Sequence, residues 1–218
     1  GIAKISPYLA KFGFGKATNI DLPQETVGLI PDPDWKEAQT GTSWYPGDTY
    51  NISIGQGYFK ATPLQLTMAT ASIANGGKLM EPHVVKSILD NNNQTIKTID
   101  PKVTSQNFVS LSAINSVREG MRETVLSPAG TARSLQQLPV SSAAKTGTAQ
   151  TGKNFVYHNW ISVFAPYDDP QIVLTVLADD VPNNTGVANL VSREILGYYF
   201  GAKTPVVNPQ EVVNEAGN

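Results

Sequence analysis

The apolar positions fall into helical and strand-like periods separated by one long unpatterned stretch. Ile5, Leu9 and Phe12 recur at helical spacing and run into Gly13 and Gly15, which predicts a short helix at about 4–12 with a glycine stop. From Ala17 to Asn51 no period holds, and Pro23, Pro31, Pro33, Pro46, Gly28, Gly41 and Gly47 punctuate the segment. It reads as a long loop, ordered by Trp35, Trp44, Tyr45 and Tyr50, with one helical turn around Trp35. The clearest helix start follows: Thr62 as N-cap, Pro63 at the first helical position and Gln65 three residues after the cap. The body of that helix is apolar on most faces, which predicts burial, and it stops at Asn75-Gly76-Gly77.

Val84 to Leu89 and Thr95 to Ile99 flank Asn91-Asn92-Asn93 and predict a hairpin. Leu111, Ile114, Val117, Met121 and Val125 mark an amphipathic helix at about 110–126, closed by Pro128 and Gly130. Three strand-like runs come next, Val140 to Gln150, Phe155 to Ala165 and Gln171 to Ala178, and their short connections require antiparallel pairing. A last helix is expected at about 185–199, and a frayed tail from Gly201. No internal repeat is present.

Composition narrows the classes. The 218 residues hold 16 Lys+Arg and 18 Asp+Glu, a net charge of −2, with no basic block of the kind that binds nucleic acid. No apolar run approaches the roughly 20 residues that span a bilayer, and the opening residues, a short amphipathic stretch, are not expected to be a signal peptide. Without cysteine there is no disulfide, thiolate nucleophile or cysteine metal site, and His83 and His158 belong to no ligand motif, so no metal site is expected. Charged residues are only 16%, whereas Ser, Thr and Asn together number 50, a weak pointer to a secreted or envelope protein that exposed loops explain equally well.

One tetrapeptide carries candidate chemistry. Along a strand, Lys145-Thr146-Gly147-Thr148 sends the two threonines to one face and Lys145 and Gly147 to the other. Paired hydroxyls grip a carboxylate, Gly147 admits a close neighbour and Lys145 adds a point charge. Taken alone, the motif leaves a solvated edge strand equally open. Nearby, Gly147 to Asn154 almost spells a phosphate-binding loop, but Asn154 stands where a magnesium-binding hydroxyl belongs and an aromatic strand-like run follows where a helix is required. Ser142-Ala143-Ala144-Lys145 has the SxxK spacing of an acyl-transfer nucleophile but lies in a strand, where Lys cannot sit under Ser. Ser105-Gln106-Asn107 spells SxN in what reads as a loop before the 110–126 helix.

Taken together, these segments resemble the C-terminal half of the transpeptidase domain of class B penicillin-binding proteins. The matching text is Phe12-Gly13-Phe14-Gly15, Asn19 to Pro23, Trp44 to Thr49, Ser53 to Tyr58, Ala61 to Leu66, Ala74 to Gly77, Gly120-Met121, Lys145 to Gln150, and Trp160 with Phe164-Ala165-Pro166. The Trp-Tyr-Pro-Gly-Asp-Thr string is most similar to the family's elongation-type members.

The resemblance implies an α+β fold of the serine β-lactamase/transpeptidase type, an antiparallel sheet covered by helices, with residues 1–200 as the C-terminal part of the domain and 201–218 as a flexible tail. It implies peptidoglycan cross-linking through a serine acyl-enzyme, acylation by β-lactam antibiotics, stem peptides as substrate, no cofactor and no nucleic-acid partner. By the same resemblance Lys145 assists proton relay and attracts the substrate's terminal carboxylate. Thr146 and Thr148 hydroxyls bind that carboxylate beside Gly147, and the Thr148 N–H is one of two oxyanion donors. Gly55, Gln56 and Gly57 shape the loop near the cleft. The family's nucleophilic SxxK and its SxN motif would both lie upstream of Gly1. The fold is therefore expected to be incomplete at its N-terminal end and this stretch inactive by itself. The missing N-terminal part of the same protein is an expected partner, and a membrane anchor with an extracytoplasmic catalytic domain is expected of the parent. A non-catalytic peptide-binding module of the same fold is the competing reading.

Overall fold

In the computed structural model, which describes residues 1–201, the sequence resolves into six α-helices, one 3-10 helix and seven strands. In chain order these are α1 (Ile2–Lys11), α2 (Pro33–Thr40), α3 (Pro46–Ser53), α4 (Pro63–Ala74), β1 (Lys78–Glu81), β2 (Ser87–Leu89), β3 (Thr95–Thr98) and β4 (Lys102–Gln106). There follow α5 (Leu111–Leu126), the 3-10 helix (Arg133–Gln137), β5 (Ala143–Gln150), β6 (Val156–Ala165), β7 (Ile172–Pro182) and α6 (Val187–Tyr199). The expected tail falls, from residue 202, outside the described residues. The described residues divide into two compact units, residues 1–72 with 77–110, and residues 73–76 with 111–201. No helix among the described residues is long and apolar enough to cross a membrane.

In the first unit, Thr62 and Gln65 cap each other as the sequence predicts. The Gln65 N–H donates to Thr62 Oγ1 and the Thr62 N–H to Gln65 Oε1, both at 3.1 Å. The Gln65 amide, itself buried, then donates to Lys16 O at 2.8 Å and to Val27 O at 2.9 Å, so one side chain ties the start of α4 to two distant loop carbonyls. Gly28 must be glycine here: its φ is +65°, and a Cβ would run into the Lys60 carbonyl oxygen and come within 2.9 Å of Gln65 Oε1.

The stretch from Ala17 to Asn51 corrects the sequence reading. In place of one turn around Trp35 it holds two eight-residue helices, α2 and α3. The prolines read as punctuation are helix starters, Pro33 following the cap Asp32, whose Oδ1 accepts from the Trp35 N–H at 2.8 Å, and Pro46 opening α3. Two turns are too short for a 3.6-residue period to declare itself. The 87–98 hairpin forms as expected, its turn held by Asp90 Oδ1, which accepts from the Asn92 and Gln94 N–H groups at 2.8 Å. Strands β1 and β4 pair antiparallel and were not foreseen, because neither has an alternating pattern long enough to read.

The second unit is a three-stranded antiparallel sheet in the order β5-β6-β7, with α5, the 3-10 helix and α6 packed on it. Register sets its two faces. Ala144 pairs with Val163, Thr146 with Ile161 and Thr148 with Asn159. Ala144, Ile161 and Val163 pack with Val125, Leu135, Ala188 and Leu196 to form its larger core. On the opposite face Ala143 pairs with Phe164 against Met121 of α5 and Ala74. Arg118 of α5 lies over the Phe164 ring, its guanidinium 5.0 Å from the centroid, and donates to the Ala74 and Tyr167 carbonyls.

Candidate active site

Strand β5 is an edge strand, paired only with β6 among the described residues, and it carries Lys145, Thr146, Gly147 and Thr148 at its middle. An exposed edge offers a row of backbone groups to an extended chain. The alternation predicted from sequence is realised: both threonines share the face of Ala144, and Lys145 and Gly147 share the other. Gly147 stands directly opposite Trp160, and a Cβ on it would lie 3.4 Å from the Trp160 Cβ, so the close neighbour is the cross-strand partner. Lys145 is exposed, and its ammonium folds back to donate to the Thr146 carbonyl at 2.5 Å.

Neither hydroxyl stands alone. Thr146 Oγ1 lies 2.6 Å from Thr131 Oγ1, and the Thr131 carbonyl accepts from the Asn189 amide of α6 at 2.8 Å. Thr148 Oγ1 donates to Asn184 Oδ1 at 3.2 Å, and the same oxygen accepts from Asn159 Nδ2 at 2.8 Å. Thr131, Asn159, Asn184 and Asn189 went unremarked in the sequence. A readable signal existed only for Asn159, which any antiparallel register between the 140–150 and 155–165 runs puts near the threonines.

The decoys resolve on backbone geometry. Residues 151–155 form the turn between β5 and β6, with the Val156 N–H donating to Lys153 O at 3.3 Å, so no helix follows the phosphate-loop look-alike. Ser142 precedes β5 and Lys145 lies within it, which denies them a shared helical turn. Ser105 lies on β4 opposite Leu79, not in a loop as expected, and Asn107 follows with φ +59°.

Gly55, Gln56 and Gly57 belong to the first unit, where they close the end of α3: the Gly55 N–H donates to Ile52 O at 3.0 Å and the Gln56 N–H to Asn51 O at 2.9 Å. Gly57 lines a cavity of about 250 Å³ with Trp44, Asp48, Asn51 and Tyr58. Beside that cavity the Trp-Tyr-Pro-Gly-Asp-Thr string knots itself together. Trp44 Nε1 donates to Thr49 Oγ1 at 2.9 Å, and Asp48 Oδ2 accepts from the Lys36 ammonium and the Tyr45 N–H, each at 2.7 Å. Those two bonds, Lys36 foremost, hold the Asp48 carboxyl below its ordinary range.

Among the described residues one group of metal-type ligands, with a single histidine, gathers at the far end of the sheet. His158, Asp179 and Asp180 place ligand atoms within 4.8 Å of one another at a bulge between β6 and β7. His158 Nδ1 lies against the Asp179 carboxylate, and the Lys153 ammonium donates to Asp180 Oδ2 at 2.6 Å, lowering the Asp180 carboxyl and raising Lys153.

Residues 1–197 match the family described as penicillin binding protein transpeptidase domain. A peptidoglycan D,D-transpeptidase, MrdA, of Haemophilus influenzae is 32% identical over 97% of this chain and 35% of its own length. The structure of a penicillin-binding protein 2 from Helicobacter pylori, solved in complex with MreC, superposes with a TM-score of 0.73 at 36% identity, covering 92% of this chain and 36% of that one. Penicillin-binding protein 2 of Pseudomonas aeruginosa, in complex with WCK 5153, gives a TM-score of 0.75 at 29% identity over 96% of this chain and 46% of that one. The chain spans about a third of the length of the curated relatives it matches.

Proposed function

Since the chain belongs to the penicillin-binding protein transpeptidase domain family, we propose that it is the substrate-gripping portion of a peptidoglycan D,D-transpeptidase of the penicillin-binding protein 2 type, working at the bacterial cell envelope outside the cytoplasm. The observation that carries this reading is the edge strand β5, with an exposed Lys145 and two hydroxyls in register on one face.

In this mechanism the stem peptide lies along the open edge of β5, adding its backbone as a further strand. Its terminal D-Ala carboxylate accepts from the Thr146 and Thr148 hydroxyls, drawn in by the positive potential of Lys145. A serine supplied by the protein's other residues attacks the preceding D-Ala carbonyl. The carbonyl oxygen becomes an oxyanion stabilised by the Thr148 N–H, a donor worth about 3–4 kcal/mol of barrier. The C–N bond breaks, the terminal D-Ala leaves with a proton on its amine, and the acyl-enzyme remains. An amine of a second strand then displaces the serine oxygen and closes the cross-link. Lys145 polarises the hydroxyl that relays the proton. A β-lactam enters the same way, its ring C–N bond opening in place of the peptide bond. On this reading the nucleophile lies outside these residues, and they form no acyl-enzyme by themselves.

Incubation of the full-length protein with a penicillin, followed by intact-mass measurement, tests this reading. A stoichiometric adduct of the penicillin's own mass, on a serine outside these residues, is expected. No adduct on a folded full-length protein overturns it in favour of a non-catalytic peptide-binding module.

A further inference from the structure

The hydroxyl of Thr148 has one proton, and in this structure it points at the Asn184 carboxamide oxygen, 3.2 Å away. That oxygen also accepts from Asn159 Nδ2 at 2.8 Å, and Asn159 is only 3% exposed, on the strand position directly opposite Thr148. A carboxamide oxygen can only accept. Asn159 therefore fixes which way the Asn184 amide faces, and Asn184 in turn fixes the rotor of the Thr148 hydroxyl. Asn184 lies in the short connection between β7 and α6, with φ +48°, a left-handed conformation that asparagine tolerates better than most residues. The Asn159 Oδ1 atom is buried without a hydrogen-bond partner, a cost that the fold tolerates where it holds the Asn184 contact.

We propose that Asn184, oriented by Asn159, is a positioning residue for carboxylate recognition: it holds the Thr148 proton in place until a ligand carboxylate takes it over. This rests on the proposed function above. The exchange is favourable because a hydrogen bond to an ionised acceptor is roughly twice as strong as one to a neutral amide. Neutrality at position 184 is then essential, since a carboxylate there would keep the proton and repel the incoming ligand.

The test uses the full-length protein, a penicillin and the methyl ester of the same penicillin, with the dissociation constant of the initial complex and the acylation rate constant measured separately. Asn184→Gly removes the carboxamide while accommodating the left-handed backbone, and Asn184→Asp keeps the shape and adds charge. Asn184→Gly removes the acceptor that competes for the Thr148 proton and is expected to tighten initial binding of the free acid about three- to tenfold, and Asn184→Asp to weaken it, while binding of the ester and the acylation rate constant from the formed complex stay at wild-type values. Equal changes for acid and ester, or no change in either variant, overturns the proposal. Thr148→Val separates the two levels. If it abolishes the preference for acid over ester and the Asn184 variants leave that preference unchanged, only the role of Asn184 falls. If Thr148→Val leaves that preference intact, the assignment of Thr148 falls with it.

Discussion

The Lys36 ammonium lies 2.7 Å from the Asp48 carboxylate, with side-chain exposures of 6% and 15%, and it also donates to the Ser43 carbonyl at 2.9 Å and sits 4.7 Å from the Tyr45 ring centroid. A nearly buried cation is tolerated only while its partners stay in place. Asp48→Asn is therefore expected to lower the melting temperature clearly, and the double variant Lys36→Met with Asp48→Asn to recover much of the loss. Thermal unfolding of the three proteins checks the ordering, and a double variant no better than Asp48→Asn alone would show that the pair is not the unit that matters.

Gly28 and Gln65 form the second test of the first unit. Gly28→Ala forces a left-handed alanine against the Lys60 carbonyl and should cost at least about 2 kcal/mol. Gln65→Ala strips the partners from Lys16 O, Val27 O and the Thr62 N–H and should cost about 3 kcal/mol. Chemical denaturation measures both, and a change below about 0.5 kcal/mol in either would contradict the packing described.

Acid should weaken the first unit through carboxylates held below their ordinary values, Asp21 and Asp48 among them. Asp21 is held below its ordinary value by the Val84 and Val85 N–H groups, which donate to its two oxygens at 2.8 and 3.0 Å, and Asp48 by Lys36 and the Tyr45 N–H. A depressed folded-state pKa means that the contribution is complete above the ordinary carboxylate value of about 3.9 and disappears as pH falls through the lower folded value. Stability should therefore drop on acidification below about pH 4, and the drop should be shallower in Asp21→Asn. An unchanged acid limb in that variant would count against the Val84 and Val85 contacts.

Much of this fold was legible in the residues, for definite reasons. The α4 cap is a local chemical pattern, Thr62-Pro63-Leu64-Gln65, and such patterns survive any tertiary context. The antiparallel β5-β6-β7 sheet follows from connections too short for a crossover. Helices α2 and α3 hid because two turns carry too few apolar positions, although Asp32-Pro33 and Pro46-Gly47-Asp48 were readable starts. Lys145 to Thr148 could be put on a strand with the correct faces, but their partners Thr131 and Asn184 come from the loop before the 3-10 helix and from the connection between β7 and α6. Contacts across 15 and 36 residues depend on packing that no local pattern encodes.

The proposed role of Lys145 on the β5 edge is to serve acyl transfer. Fluorescent penicillin labelling of the full-length protein, wild type against Lys145→Ala, tests it most directly, with the melting temperature of both recorded as a control on folding. Rapid labelling of the wild type is expected, with a labelling rate lower by about 10²-fold or more in Lys145→Ala. Equal labelling of the two proteins would contradict it.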